Sequence, residues 1–188
     1  MKSPVEVLLQ VAQTLEALSV PYFIVGSVAS SLLGFSRTTN DVDIVADIKI
    51  EDAHKLFEAL KDSFYVDEQA IRRAIMNHRM FNAIHFDSSF KVDLYLPSPD
   101  SFLQQQFTRR RQEALLPDSS QMVYLASPED LILSKLRWYR LGGEVSERQL
   151  TDVAGIIKVQ AQRLDAAYLR EWADKLNVSD LLEKVLKA

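Results

Sequence analysis

Cysteine is absent from the 188 residues. That excludes disulfides and thiolate-bound metals. Histidine is scarce, and His54, His78 and His85 are scattered along the chain; none is assigned to a metal. No apolar run reaches the roughly 18 residues that a membrane helix needs. Residues 1–19 lack the basic start and continuous apolar centre of a secretory signal, so a cytoplasmic location is expected. An excess of basic charge is missing too. The net charge is −4, which argues against a general polyanion-binding surface but allows a local basic patch. There is no internal repeat and no low-complexity linker.

What is present reads as an ordinary globular chain. Apolar residues make up 47% and charged residues 26%, the usual soluble balance. The length suits one domain, or a core with a small second domain.

The most informative stretch is Tyr22–Asp47. An apolar run, Tyr22–Val25, leads into Gly26-Ser27 and a helix-like segment, Val28–Leu33. A polar turn over Ser36–Asn40 precedes Asp41-Val42-Asp43-Ile44-Val45. The pattern predicts strand, tight turn, helix, loop, strand. Residues two apart on a strand share a face, about 6.5 Å apart. Asp41 and Asp43 therefore project together while Val42 and Ile44 enter the core. Paired carboxylates suit a hard divalent cation that also accepts phosphate oxygens. The helix start after Gly26-Ser27 offers free N–H groups to an anion. The alternative is a pair of solvated surface charges.

The order of apolar strand, Gly-Ser, thirteen residues and Asp-apolar-Asp-apolar resembles the signature of the nucleotidyltransferase fold shared with DNA polymerase β. The resemblance implies that Gly26 and Ser27 hold nucleotide phosphate and that Asp41 and Asp43 hold Mg²⁺. Farther on, Phe90–Leu96 alternates, with Lys91, Asp93 and Tyr95 on the polar face. Met80–Phe86 precedes it across an Asp87–Ser89 turn, so the two are expected as a hairpin. Asp93 resembles the third carboxylate of the same fold. The plainer expectation is an exposed Asp93 paired with Lys91.

Elsewhere the pattern is helical. Pro4–Leu18, Glu51–Leu60, Asp67–Ile75, Ser101–Phe107, Asp165–Lys175 and Ser179–Leu186 are expected helices, with Ser3, Asp67, Asp165 and Ser179 as caps. Short strands are expected at Phe64–Val66, Leu115–Leu116 and Met122–Leu125, the last two around a Pro117–Ser120 turn. Arg109-Arg110-Arg111 could grip phosphate, but a solvated face is the favoured reading. Trp138 and Tyr139 are expected to pack. Ser127-Pro128-Glu129-Asp130 is a strong helix start, and Gly142-Gly143 is its stop. Ser146–Gln149 reads as a second capping box.

The resulting helical hairpin brings Lys135 and Asp152 to similar heights, each about 10 Å from the tip. As an exposed ion pair they would contribute about 0–1 kcal/mol, and loss of Lys135 would leave the melting temperature within a few degrees. Gly26, Ser27, Arg37, Thr38, Asp41, Asp43, Lys135 and Asp152 also follow an order similar to that of the AbiEii-type toxin nucleotidyltransferases, over Pro21–Val159. Many members carry Lys-Asp where this chain has Gln149-Leu150.

These features predict an α+β fold, a nucleotidyltransferase-like mixed β-sheet packed with helices and followed by a helical C-terminal region. Residues 1–126 are the expected core and residues 127–188 the helical region. The resemblance implies NMP transfer from an NTP to an acceptor hydroxyl. Two Mg²⁺ ions would sit on Asp41, Asp43 and Asp93. Lys135 would neutralise the triphosphate, oriented by Asp152, and Arg37 and Thr38 would flank the nucleotide. The acceptor could be RNA or tRNA, a protein or a small molecule, and an antitoxin-like protein is a candidate partner. Two other readings are an inactive nucleotide-fold module working through a protein partner and an aminoglycoside-type enzyme.

Overall fold

A computed structural model describes residues 3–35, 39, 41–115 and 121–187. Helix α1, Pro4–Ala17, starts with the Ser3–Glu6 capping box and Pro4 in its first turn, and buries Val7, Leu8, Val11 and Leu15. The apolar run forms strand β1, Tyr22–Val25, whose first three residues are buried. Helix α2, Gly26–Leu33, follows without a connecting residue. Strand β2, Asp41–Ala46, buries Val42 and Ile44 as the alternation requires. Next come a single 3₁₀ turn at Ile50–Asp52, helix α3 (Ala53–Leu60), strand β3 (Phe64–Tyr65) and helix α4 (Glu68–Asn77), the last capped by the Asp67 side chain. Strands β4, Met80–His85, and β5, Lys91–Tyr95, form the expected antiparallel hairpin.

Helix α5, Ser101–Arg109, leads into strand β6, Arg111–Ala114, and strand β7, Met122–Leu125. Strand β6 therefore begins at Arg111, earlier than the apolar Leu115–Leu116 pair suggests. It lies at an exposed edge, where no apolar alternation marks it. Leu116 and the Pro117–Ser120 turn lie outside the described residues. Helices α6 (Pro128–Leu141), α7 (Glu147–Gln160), α8 (Ala166–Lys175) and α9 (Ser179–Leu186) complete the chain.

Among the described residues, seven strands make one mixed sheet in the order β3-β4-β5-β2-β1-β7-β6. Strand β1 pairs antiparallel with β2 and parallel with β7, while β2 runs parallel to β5. Helix α2 packs on β1 and β2, and α6 and α7 pack on α2. One connected apolar core runs from Val7 through Phe23, Ile44, Leu94 and Leu136 to Leu182.

Four local expectations are corrected. Ser146 precedes α7 but its side chain makes no capping bond. Ser179 lies inside α9, and Val178 occupies the cap position. Trp138 does not pack; it is 62% exposed, whereas Tyr139 on the next position is buried. The arginine run is not a solvated face. Arg109 lies 3.8 Å over the Tyr168 ring and its Nη2 donates to Glu129 Oε2 at 3.1 Å. Arg110 covers the Tyr124 ring at 4.8 Å. Sequence spacing could not reveal this, because the acids and rings that hold the guanidinium groups come from distant elements.

Candidate active site

Strand register assembles the carboxylates. Across β1–β2, Val25 faces Asp43, so Gly26 lies beside that carboxylate. Across β2–β5, Asp41 faces Lys91, Asp43 faces Asp93 and Val45 faces Tyr95. In-register neighbours of a parallel pair share a face of the sheet. Asp41, Asp43 and Asp93 thus stand on one face, at the end of the sheet where α2 begins.

Gly26 is shaped by this contact. Its φ is +65°, and a Cβ there would collide with the Asp43 carboxylate. Both facts demand glycine. The N-cap position of α2 is held by Val25, whose side chain makes no capping bond. Ser27 is the second residue of that turn, and the Ser30 hydroxyl donates to the Gly26 carbonyl at 2.7 Å.

The three carboxylates differ in surroundings. Asp93 is only 4% exposed, so the exposed-aspartate expectation is corrected, although its pairing with Lys91 is real, at 2.6 Å from Nζ to Oδ2. Asp93 Oδ1 is buried without a hydrogen-bond partner among the described residues, a state that costs about 1–3 kcal/mol. Asp41 Oδ1 accepts from the Thr39 hydroxyl at 2.8 Å. Asp43 Oδ1 accepts a long bond, 3.4 Å, from the Tyr95 hydroxyl. Burial raises the Asp43 pKa, and the charges of Asp41 and Asp93 raise it further, against the Tyr95 bond and the Lys135 charge. Burial, then the Asp43 and Asp93 charges, push the Tyr95 phenol up to about 12. The Lys91 ammonium is held above its usual range by its bond to Asp93 and by the charges of all three aspartates.

The donor set suits a hard divalent cation, since it offers oxygen ligands only and one buried oxygen lacks a partner. As oriented, however, no three acid or histidine side chains among the described residues close around one point. Lys91 holds one oxygen of Asp93 and Thr39 holds one oxygen of Asp41.

The helical hairpin brings its two predicted residues together. Lys135 Nζ lies 2.8 Å from Asp152 Oδ2, and the two side chains are 8% and 7% exposed. The surface-pair expectation is therefore corrected: the pair is buried. Gln149 accepts from Lys135 through Oε1 at 3.3 Å. Lys135 also acts electrostatically on Asp43, which links the hairpin to the carboxylate face. Arg37 and Thr38 lie outside the described residues.

Two neighbours were not singled out from the sequence. Thr39 holds Asp41. Asn82 faces Asp93 across β4–β5 and is exposed. Asn82 belongs to a strand that alternates only partly, so only the register exposes its position. An open groove lined by Leu9, Gln13, Glu16, Met122 and Tyr124 lies between α1 and the β6–β7 ribbon; none of the site residues lines it.

The fold has solved counterparts. A nucleotidyltransferase-like antigenic protein from Paracoccidioides brasiliensis is 21% identical, with a TM-score of 0.58 over 98% of this chain and 92% of that one. The antibiotic-resistance factor ANT(2″)-Ia is 12% identical, with a TM-score of 0.51 over 92% of this chain and 96% of its own. A nucleotidyltransferase candidate from Thermotoga maritima is 15% identical, with a TM-score of 0.50 over 81% and 96%. No protein of curated function matches the sequence. The model of one family matches residues 5–179, nearly the whole chain: the chain belongs to the family "nucleotidyltransferase of unknown function (DUF6036)".

Proposed function

We propose that the chain transfers a nucleoside monophosphate from an NTP to an acceptor hydroxyl and releases pyrophosphate. The observation that carries this reading is the convergence of Gly26 on Asp43, with Asp93 alongside and one Asp93 oxygen buried without a partner among the described residues. Gly26 and Ser27 would present first-turn N–H groups to the β- and γ-phosphates, where the helix dipole favours an anion. Asp41, Asp43 and Asp93 would hold Mg²⁺, with two ions as the preferred count. Mg²⁺ when bound supplies positive charge at the attacking and leaving oxygens. Asp93 would also draw the proton from the acceptor hydroxyl. Lys135 would set a positive charge against the triphosphate where negative charge develops, held in place by Asp152. Arg37 and Thr38 would flank the nucleotide.

Residues 1–126 are assigned the nucleotide chemistry. Residues 127–188 supply Lys135 and Asp152 and cover the site. The acceptor is an RNA such as tRNA, a protein or a small molecule. A toxin role restrained by an antitoxin-like protein partner is the biological setting in which the AbiEii-like residue order makes sense.

The direct test is incubation of the full chain with each labelled NTP, Mg²⁺ and total tRNA, protein extract or small hydroxyl acceptors. Label transfer that is lost in Asp43→Asn supports the reading. Absence of both transfer and Mg²⁺-dependent NTP binding, with every NTP, would sink it.

A further inference from the structure

Lys91 is not a bystander on the carboxylate face. It stands opposite Asp41 in the β2–β5 register, two residues before Asp93 on the same face. Its Nζ sits 2.6 Å from Asp93 Oδ2; the lysine side chain is 40% exposed and the aspartate 6%. One oxygen of Asp93 is thus occupied by an ammonium while the other is buried with no partner among the described residues. The bond lies where three acidic side chains would otherwise repel one another, and a lysine head is a compact, movable charge on a flexible stem. Its partial exposure gives that head a route to water.

We propose that Lys91 is a tethered counter-cation. It holds Asp93 Oδ2 while the site carries no metal, opposes with its charge a divalent cation that binds the same carboxylates, and so sets the affinity of the site for that cation. This rests on the metal site of the proposed function. A positive charge a few ångströms from a divalent ion opposes its binding even when heavily screened. The lysine therefore weakens metal binding while offsetting part of the carboxylate repulsion in the metal-free site.

The probe is Mn²⁺ alone, without nucleotide, titrated into the full-length chain and followed by the paramagnetic resonance of free Mn²⁺. Lys91→Met keeps the length of the stem and removes the charge. It is expected to tighten Mn²⁺ binding by about tenfold or more. Lys91→Arg keeps a cation and is expected to stay within about threefold of wild type. Thermal unfolding in chelator and in Mn²⁺ gives a second readout, in which the metal-induced rise in melting temperature should be larger for Lys91→Met than for wild type. If wild type binds Mn²⁺ but Lys91→Met binds it equally or more weakly, the counter-cation role is overturned and the metal site survives. Weaker nucleotide binding with unchanged Mn²⁺ affinity would instead make Lys91 a phosphate contact. If wild type binds no Mn²⁺ that Asp41→Asn or Asp43→Asn abolishes, the metal site and the Lys91 role fall together.

Discussion

At the residue scale, Asp43 links stability to pH. Its pKa is raised by burial and by Asp41 and Asp93. Between the unfolded value, about 3.9, and the higher folded value, the native state binds more protons than the unfolded one. Stability therefore falls as pH rises through that window and stays lower above it. Asp43→Asn removes this penalty. Near neutral pH and without metal it is expected to melt above wild type, by about 2–4 °C for each kcal/mol relieved, and the gap should vanish in acid. Calorimetry across pH checks this; a neutral-pH melting temperature at or below wild type contradicts it. The same variant, and Asp41→Asn, are expected to lose Mg²⁺-dependent binding of a non-hydrolysable NTP while staying folded. Wild-type titration curves for both would remove the carboxylates from metal binding. Gly26→Ala should cost about 1–3 kcal/mol through its positive φ, and should impair transfer by displacing Asp43. Full activity in that variant would mean that the tight turn is not part of the site.

At the scale of elements, the α6–α7 hairpin carries the clearest revision. A surface lysine could be removed at almost no cost, but Lys135 and Asp152 are buried against each other. Removing the lysine leaves a buried carboxylate without its ammonium, which costs about 3–5 kcal/mol. Lys135→Ala is thus expected to lower the melting temperature by about 10 °C or more. A loss of activity in that variant alone would therefore not separate chemistry from folding. The double variant Lys135→Met, Asp152→Asn removes both charges and should recover most of the stability. If Lys135 also serves the triphosphate, the double variant stays inactive, with a rate about 100- to 1000-fold below wild type. A stable double variant with normal transfer would make the pair purely structural. The hairpin's position depends on close helix contact: a Cβ on Gly34, just past α2, would lie 2.9 Å from the Ile156 backbone nitrogen of α7. That spacing keeps α7, and with it Asp152, against the helix that opens at Gly26.

Across the whole molecule, a buried polar cluster ties the helical region to the sheet. Tyr168 on α8 donates to Asp130 Oδ1 at 2.6 Å, and Glu129 accepts from the Asp165 backbone N–H at 3.0 Å. Arg109 at the end of α5 bonds Glu129 and stacks on Tyr168. Both acids lie in the first turn of α6, where negative charge meets the positive end of the helix dipole. Removing the arginine takes the nearby cation from Asp130 and leaves Glu129 only the longer contact to Arg111, at 3.7 Å. Arg109→Ala is expected to lose about 3–5 kcal/mol. Because one apolar core includes residues from both 1–126 and 127–188, unfolding should remain a single transition. Two resolved transitions would show that residues 127–188 unfold separately from the rest.

Much of this was legible in local sequence, because it depends on neighbours in the chain. Alternation over Asp41–Val45 and Phe90–Leu96 put Asp41, Asp43 and Asp93 on polar faces, since a strand's period is set by its own backbone. Ser127-Pro128 and Gly142-Gly143 marked the ends of α6 for the same reason. Gly26-Ser27 marked the turn, but not that a side chain there would strike Asp43. Register between β1, β2 and β5 was settled only by folding, and it brought Asp43 to Asp93 and Lys91 to Asp41. Burial was also a tertiary outcome. It turned Lys135–Asp152 from a surface pair into an interior one, drew Arg109 and Arg110 onto rings from other elements, and left Trp138 exposed. Local patterning states which way a side chain faces; which charges meet, and how much water reaches them, depends on segments far apart in the chain.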